Sequence, residues 1–325
     1  MKKNSLGYTS EQLTVIGLGT WAIGGPWKRG WGPQDDNDSV AAIEKSLEVG
    51  INWIDTAAIY GLGHSEEVIG RALKGMSEKP FIATKCGLRW DAGGQPVNCL
   101  KKNSIREECE ASLRRLELDV IDLYQMHWPV PDEDVEEGWE EMARLADEGK
   151  VRYIGVSNFS VSQMERASRI HRIASFQPNY SMLHRGVEAE LLGYCADNDI
   201  GVITYSPMSR GLLTGKFSHE HLRELDDGDN RKDSVDCQEP QFSATLELVE
   251  RLRSVAEAKG ITLAQLAIAW VLRRREVTAA IAGARNAQQI NDNAGASEIE
   301  LGADELDKIE GFLSEWSEKA GLNKG

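Results

Sequence analysis

Four titratable side chains each come shortly after an apolar segment of the sequence: Asp55, Tyr60, Lys85 and His127. The segments are 51–54, 81–84 and 120–126, and the phenol lies in the loop after the first of them. Short apolar segments between amphipathic helices are typical of buried parallel strands. The carboxyl ends of such strands meet at one face, where parallel α/β folds place their chemistry. The sequence therefore predicts an acid, a phenol, an amine and an imidazole at a common face.

These side-chain types suit proton transfer to a carbonyl group. A free tyrosine titrates near ~10 and is a poor acid at neutral pH, but an adjacent ammonium favours the phenolate and lowers the phenol pKa. A carboxylate keeps the amine charged, and a neutral imidazole can orient a carbonyl by a hydrogen bond. The set can protonate a carbonyl that receives a hydride, which must come from a cofactor. Each side chain alone could be a cap, a loop residue or a surface cation; together they favour a catalytic site.

Eight apolar segments have the length and spacing of strands: 16–20, 52–55, 81–85, 120–126, 153–157, 175–178, 201–205 and 277–282. Seven are closely followed by a helical pattern, so the sequence predicts an α/β fold, a closed (β/α)8 TIM barrel. A short N-terminal extension precedes the first strand, and the helices at 243–259 and 303–317 exceed the eight units. We expect a single domain spanning 1–325. The 206–242 loop is long enough to predict a lid or binding loop.

Three capping-box patterns predict where helices begin. Each pairs a serine or threonine with Glu or Gln three positions later: Ser104 with Glu107, Ser160 with Gln163, and Thr262 with Gln265. We therefore expect helices to start close to these three positions.

Composition excludes several classes of partner. The net charge of −15 argues against nucleic acid and anionic membranes. The five cysteines form no CxxC pair, and no segment resembles a signal peptide or a membrane span, so a reducing cytoplasm is the expected location. The pair His219-x-His221 has no carboxylate partners that the sequence can place, and we expect no metal. No oligomeric state is predicted.

Several segments resemble the aldo-keto reductases. They are NWIDTAAIYG (52–61), SEEVIG (65–70), IATK (82–85), IDLYQMHWP (121–129), IGVSNF (154–159) and GAR (283–285) with Gln289 and Asn293. They cover nearly the whole chain in order. The likeness is greatest to the bacterial general-stress and sugar-reductase branch, and more distant to potassium-channel β-subunits.

The resemblance implies a role for each of the four titratable residues. Tyr60 would be the general acid in reduction, Lys85 would lower its pKa, Asp55 would pair with Lys85, and His127 would orient the carbonyl. The implied activity is NADPH-dependent reduction of aldehydes or ketones to alcohols, with a small-molecule carbonyl compound as substrate and NADPH/NADP+ as cofactor.

The resemblance also implies a set of cofactor-binding residues. At the nicotinamide end these are Ser157, Asn158, Gln177 and Tyr205, and the set also includes Thr20 and Trp21. Around the pyrophosphate they are Ser206, Met208, Arg210 and Gly211, and at the adenosine end Lys216, Gly283, Arg285, Gln289 and Asn293. NADPH is favoured over NADH because a 2′-phosphate needs a nearby cation, which Arg285 offers next to a helix N-terminus. The family often has proline where this chain has Ala282, which alters loop stiffness more than chemistry.

Tryptophans follow three different strands: Trp21, Trp90 and Trp128. With Trp27 and Trp31 in the first loop, they predict an aromatic pocket for apolar or sugar-like carbonyl substrates.

Three other interpretations account for parts of the sequence. The pattern Gly17-x-Gly19-x-x-Ala22 matches a loose dinucleotide fingerprint, but glycines and prolines follow it where a helix must start. A lysine-dependent aldolase would use Lys85 as a Schiff base and leave Tyr60 and Arg285 without a shared purpose. An NADPH-binding redox sensor or regulatory subunit with slow turnover stays an alternative from another class.

Overall fold

The computed structural model describes residues 1–322. The described chain forms strands β1 (Lys3–Ser5), β2 (Gln12–Thr14), β3 (Ile16–Gly19), β4 (Trp53–Asp55), β5 (Phe81–Cys86), β6 (Leu88–Trp90), β7 (Pro96–Asn98), β8 (Ile121–Met126), β9 (Val151–Ser157), β10 (Ser175–Gln177), β11 (Gly201–Tyr205) and β12 (Val277–Gly283). Its α-helices are α1 (Asp36–Glu48), α2 (His64–Ala72), α3 (Lys102–Leu116), α4 (Val135–Asp147), α5 (Val161–Ser168), α6 (Leu191–Asp197), α7 (His219–Glu224), α8 (Gln241–Lys259), α9 (Leu263–Leu272), α10 (Ala287–Ala294) and α11 (Ala303–Lys319).

Eight of the strands close into a parallel barrel in the order β3, β4, β5, β8, β9, β10, β11, β12 and back to β3. The closing register places Gly283 opposite Gly19. The expected (β/α)8 TIM barrel is confirmed. Because every barrel strand is parallel to its neighbours, the carboxyl ends of β4, β5 and β8 lie at one mouth.

Apolar burial explains where the strands form. The predicted strand boundaries match the observed ones to within two residues, since each apolar segment is buried on both faces between the barrel interior and the helix layer. Helices α8 and α11, which exceed the eight units, pack against each other. Two capping boxes form as expected, at Ser160 and Thr262.

The capping box at Ser104 is a wrong prediction. Helix α3 begins at Lys102, and Lys101 is its N-cap. The Ser104 hydroxyl donates instead to the buried carboxylate of Glu108 at 2.9 Å, within the helix. The buried carboxylate needs a hydrogen-bond donor, and the Ser104 hydroxyl serves as one and does not cap the helix.

Two antiparallel hairpins were not predicted as strands. The β1–β2 hairpin is the N-terminal extension, and Leu6 in its turn and Leu13 in β2 pack with Trp53 and Phe81 in a buried cluster. The β6–β7 hairpin lies in the long segment after β5. Within residues 1–322 no single helix is long and apolar enough to cross a membrane, although the bent pair α8 and α9 meets the criteria of length and composition together.

Candidate active site

Lys85 is the centre of a buried hydrogen-bond cluster at the barrel mouth. Its Nζ donates to Asp55 Oδ1 at 2.7 Å, to the Thr56 carbonyl at 2.9 Å and to Tyr60 Oη at 3.2 Å. An ammonium has three N–H donors, so all three are used. The hydroxyl hydrogen of Tyr60 does not point at Lys85, because the phenol oxygen accepts there, and it can donate to a group in the cavity.

Strand ends and one strained turn place these side chains. Asp55 ends β4 and Lys85 lies near the end of β5. Tyr60 begins a turn in which Gly61 has φ 63° and Leu62 has φ 56°. A Cβ on Gly61 would lie 2.0 Å from the Gly24 carbonyl oxygen, so only glycine allows this close approach. The turn therefore holds the phenol over the lysine.

The second oxygen of Asp55 is also held. Gln177 Nε2 donates to Asp55 Oδ2 at 2.8 Å, and Gln125 Nε2 lies 3.5 Å from the same atom. Gln125 was missed by the sequence reasoning. A polar residue inside the apolar segment IDLYQM is the signal that could have found it, because a fully buried amide needs partners.

Behind the cluster, buried hydrogen bonds fix the strands that carry it. Thr84, next to Lys85, donates to the buried Glu66 carboxylate at 2.6 Å, and Arg115 pairs with that carboxylate at 2.7 Å. Glu66 was not singled out from the sequence, although it lies within the SEEVIG segment. It does not contact the amine, but its negative charge raises the pKa of Lys85 and so opposes the effect of burial.

The ionisation of Tyr60 differs from the sequence-based expectation. Burial, and then the negative charge of Asp55, raise the pKa of Tyr60 well above its ordinary value. The expected lowering by Lys85 is outweighed because a buried phenolate loses its hydration. Burial lowers the pKa of the Lys85 ammonium, while the charge and hydrogen bond of Asp55 oppose that change. The phenol is therefore neutral at pH 7 and holds a proton that it can donate.

His127 presents a neutral imidazole to the same mouth. Burial, followed by the charges of Lys85 and Arg29, holds the pKa of His127 well below its ordinary value. Its ring centroid lies 6.0 Å from that of Tyr60 at 75°. Its ring nitrogens make no hydrogen bond with any part of residues 1–322. The ring can therefore hydrogen-bond a carbonyl oxygen that lies beside the phenol.

A cavity of about 450 Å³ runs from this mouth along the ends of β9 to β12. The structure brings all fifteen predicted cofactor-binding residues to its wall, from Thr20 and Trp21 to Gln289 and Asn293. Of the four predicted catalytic residues, Asp55, Tyr60 and His127 line it, and Lys85 lies buried behind the phenol.

Polar side chains are already ordered at the inner part of the cavity. Tyr205 Oη donates to Asn158 Oδ1 at 2.9 Å, and Asn158 Nδ2 donates to the His127 carbonyl at 3.1 Å. Asn158 has φ 63°, an uncommon value outside glycine. Ser157 donates to the Gln177 carbonyl at 2.8 Å. These contacts hold the amide and phenol groups that a carboxamide-bearing ring would meet.

Four residues in the turn after β11 adopt left-handed backbone conformations, with positive φ. Ser206, Ser209, Arg210 and Gly211 have φ of 56°, 48°, 54° and 99°. Consecutive left-handed residues form a concave turn whose N–H groups suit an anion. The segment expected to wrap a pyrophosphate therefore has a suitable shape.

The outer end of the cavity is cationic. Arg285 donates from Nε to Gln34 Oε1 at 2.8 Å and also bonds the Pro33 carbonyl. Burial, and then the charge of Arg231, lower the pKa of Arg285, and the carboxylate of Asp229, which pairs with Arg231, opposes them to a smaller extent. Two guanidinium groups held close enough to repel each other form a place where an anion is stabilising. The long loop crosses here, since Asn230 N donates to the Gly30 carbonyl at 3.2 Å.

The tryptophans divide between the cavity and the core. Trp21, Trp27, Trp31 and Trp128 line the cavity, and the Trp21 ring lies 4.9 Å from that of Tyr60. Trp90, predicted for the substrate pocket, does not line it. It lies in strand β6, with its ring 5.9 Å from the Arg115 guanidinium, and it packs against the buried cluster that contains Tyr60.

Comparison with known proteins decides the family. The model of the aldo/keto reductase family matches residues 15–314. The chain belongs to this family. It is 40% identical over 293 residues to the aldo-keto reductase YhdN of Bacillus subtilis, covering 89% of this chain and 87% of that protein. It is 35% identical to the NADH-specific methylglyoxal reductase of Escherichia coli, covering 93% and 95%.

Solved structures agree with the assignment. The glycerol dehydrogenase AKR11B4 from Gluconobacter oxydans superposes with a TM-score of 0.87 at 34% identity, covering 97% of this chain and 95% of that one. The aldo-keto reductase AKR11C1 from Bacillus halodurans, in its holo form, gives 0.79 at 28% identity over 96% of each chain. The family predicted from the sequence is confirmed. This aldo/keto reductase is an oxidoreductase of carbonyl compounds that uses a nicotinamide cofactor.

Proposed function

We propose that this aldo/keto reductase reduces aldehydes and ketones to alcohols with NADPH, and that Tyr60 donates the proton. The observation behind the proposal is that Lys85 Nζ donates its three hydrogen bonds to Asp55, Thr56 and Tyr60. The phenol oxygen accepts from the ammonium, so its own hydrogen is free for a substrate in the cavity.

The residues can perform the reduction as follows. The bound nicotinamide supplies the hydride. The neutral imidazole of His127 donates a hydrogen bond to the carbonyl oxygen and turns it toward Tyr60. As negative charge grows on that oxygen, Tyr60 transfers its proton, and the Lys85 ammonium stabilises the phenolate that remains. The raised pKa of Tyr60 keeps the donor protonated through neutral and mildly alkaline pH, and the lowered pKa of His127 keeps its ring neutral.

The preference for NADPH is supported by the outer end of the cavity. Arg285 is half-buried, with Arg231 close enough to lower its pKa, and Lys216 also lines the wall. A 2′-phosphate would relieve the repulsion between the two guanidinium groups, whereas NADH brings no charge to that position. The Escherichia coli relative is NADH-specific, so the preference must come from this chain's own side chains.

The test replaces the guanidinium at the proposed 2′-phosphate position. Arg285→Ala removes one charge-assisted contact, which is worth about 1.5–3 kcal/mol, so the Kd for NADPH should rise about 10- to 100-fold. The Kd for NADH should change far less. Arg275→Ala, at an exposed position outside the cavity, is the control and should change neither. Fluorescence titration with both cofactors gives the four values, and equal weakening of NADPH and NADH would overturn the proposed preference.

A further inference from the structure

One guanidinium at the catalytic end of the cavity has no partner among residues 1–322. Arg29 lies in the loop after β3 and lines the same wall as Trp21, Trp27 and His127. Its side chain forms no hydrogen bond and no ion pair with any residue in the described range 1–322. Its neighbour Lys28 instead bonds Gln95, outside the cavity.

The other cations of the cavity are placed for the cofactor. Arg210 and Lys216 belong to the turn and loop after β11, and Arg285 lies at the outer end. Arg231 pairs with Asp229. Arg29 is the one remaining arginine or lysine among the described residues that line the cavity.

Charge at this position reaches the reacting groups. Of the cations near His127, only Lys85 and Arg29 contribute to the lowering of its pKa, after burial. Lys85 is neutralised by Asp55 at 2.7 Å, and Arg29 is not neutralised. A chain with a net charge of −15 thus exposes an unpaired positive charge beside the place where a carbonyl would bind.

We propose that Arg29 is a specificity residue for carbonyl substrates that carry a carboxylate. A guanidinium pairs with a carboxylate through two parallel hydrogen bonds. A single cation matches a monoanion better than a phosphate dianion. The tryptophan walls contact the carbon skeleton, while the carbonyl lies between Tyr60 and His127 and the carboxylate reaches toward the loop after β3. The substrate class is then the oxo acids, and the inference rests on the proposed carbonyl reduction.

The experiment compares an acid with its neutral ester of the same shape. The aromatic pair is para-carboxybenzaldehyde and methyl para-formylbenzoate, and the short pair is glyoxylate and its methyl ester. The readout is the ratio of kcat/KM for acid over ester, measured with NADPH for the wild type, Arg29→Gln and the control Lys28→Gln.

The wild type should prefer the acid in at least one pair, and the preference should weaken as salt is added, because screening acts on the charge pair. Arg29→Gln should lower the acid-to-ester ratio about 10- to 100-fold, and Lys28→Gln should keep the wild-type ratio. A wild-type ratio at or below one in both pairs, or a ratio that Arg29→Gln does not lower, would overturn the inference while leaving carbonyl reduction intact.

Two further outcomes separate the inference from its alternatives. If Arg29→Gln weakens NADPH binding as much as it lowers the ratio, Arg29 contacts the cofactor, and the inference is wrong. If the wild type binds NADPH but reduces neither acid nor ester, the proposed function itself is wrong. The proposed substrate class, which depends on it, is then wrong as well.

Discussion

The buried pair of Asp55 and Lys85 gives the sharpest stability prediction. Their side chains are 4% and 1% exposed, with 2.7 Å between Oδ1 and Nζ. Asp55→Asn keeps a hydrogen-bond acceptor but leaves the ammonium unpaired. Removing one member of a buried pair costs about 3–5 kcal/mol. Asp55→Asn should therefore lower the free energy of unfolding by about that amount at pH 7.

The reverse holds when both charges are removed. Asp55→Asn combined with Lys85→Met leaves neither member of this pair charged, so the double variant should be at least about 2 kcal/mol more stable than the sum of the two single losses implies. Urea unfolding, followed by the fluorescence of the nine tryptophans, measures all four proteins. Additive losses would refute the claim that the two groups act as a pair.

The pH dependence provides a second check on the same variant. In Asp55→Asn the folded pKa of Lys85 falls further below its unfolded value, because burial lowers it and the opposing carboxylate is gone. The unfolded chain then binds more protons than the folded one as pH rises toward the ordinary lysine pKa, so stability increases with pH. The deficit of Asp55→Asn relative to the wild type should shrink by up to about 1.4 kcal/mol per pH unit. A constant deficit would contradict the buried, unpaired ammonium.

Two further predictions concern residues around this pair. Burial raises the pKa of Glu108 to about 7 from 4.5, so the folded state holds a proton that the unfolded state has lost. Stability should fall on the order of 3 kcal/mol between pH 4.5 and 7 relative to Glu108→Gln, and a pH series of urea unfolding that shows no such difference would contradict the buried carboxyl. Gly61→Ala should lower kcat at least about 10-fold, since its Cβ would meet the Gly24 carbonyl at 2.0 Å and displace Tyr60. The control Gly311→Ala, in helix α11, has nothing within 4 Å of the added Cβ and should keep kcat. Equal activity in both would show that the turn does not position the phenol.

Strand ends could be predicted from the sequence because they depend on local pattern. Apolar segments of strand length, each followed by a reactive residue, fixed the positions of Asp55, Lys85 and His127 before any contact was known. The resemblance supplied the cofactor residues, and all of them line one cavity.

Properties that depend on burial and on distant partners could not be predicted in the same way. The direction of the Tyr60 pKa shift depends on how completely the ring is buried, and the sequence shows only the adjacent charges. Ser104 lost its capping role to Glu108 for the same reason. Trp90 follows a predicted strand as Trp21 and Trp128 do, but it lies in a hairpin that was not predicted and does not line the cavity. Arg29 carries no motif, and its lack of a partner is visible only in three dimensions.

The most direct test of the mechanism is a single turnover with Tyr60→Phe. The variant keeps the ring beside Trp21 and removes only the hydroxyl, which accepts from Lys85 and is the proposed proton donor. NADPH loaded on the enzyme is mixed with an aldehyde, and oxidation is followed by the nicotinamide absorbance. We expect an unchanged Kd for NADPH and a rate of hydride transfer at least about 100-fold below that of the wild type, the usual contribution of a general acid. A rate within about threefold of the wild type would contradict the assignment of Tyr60 as the proton donor.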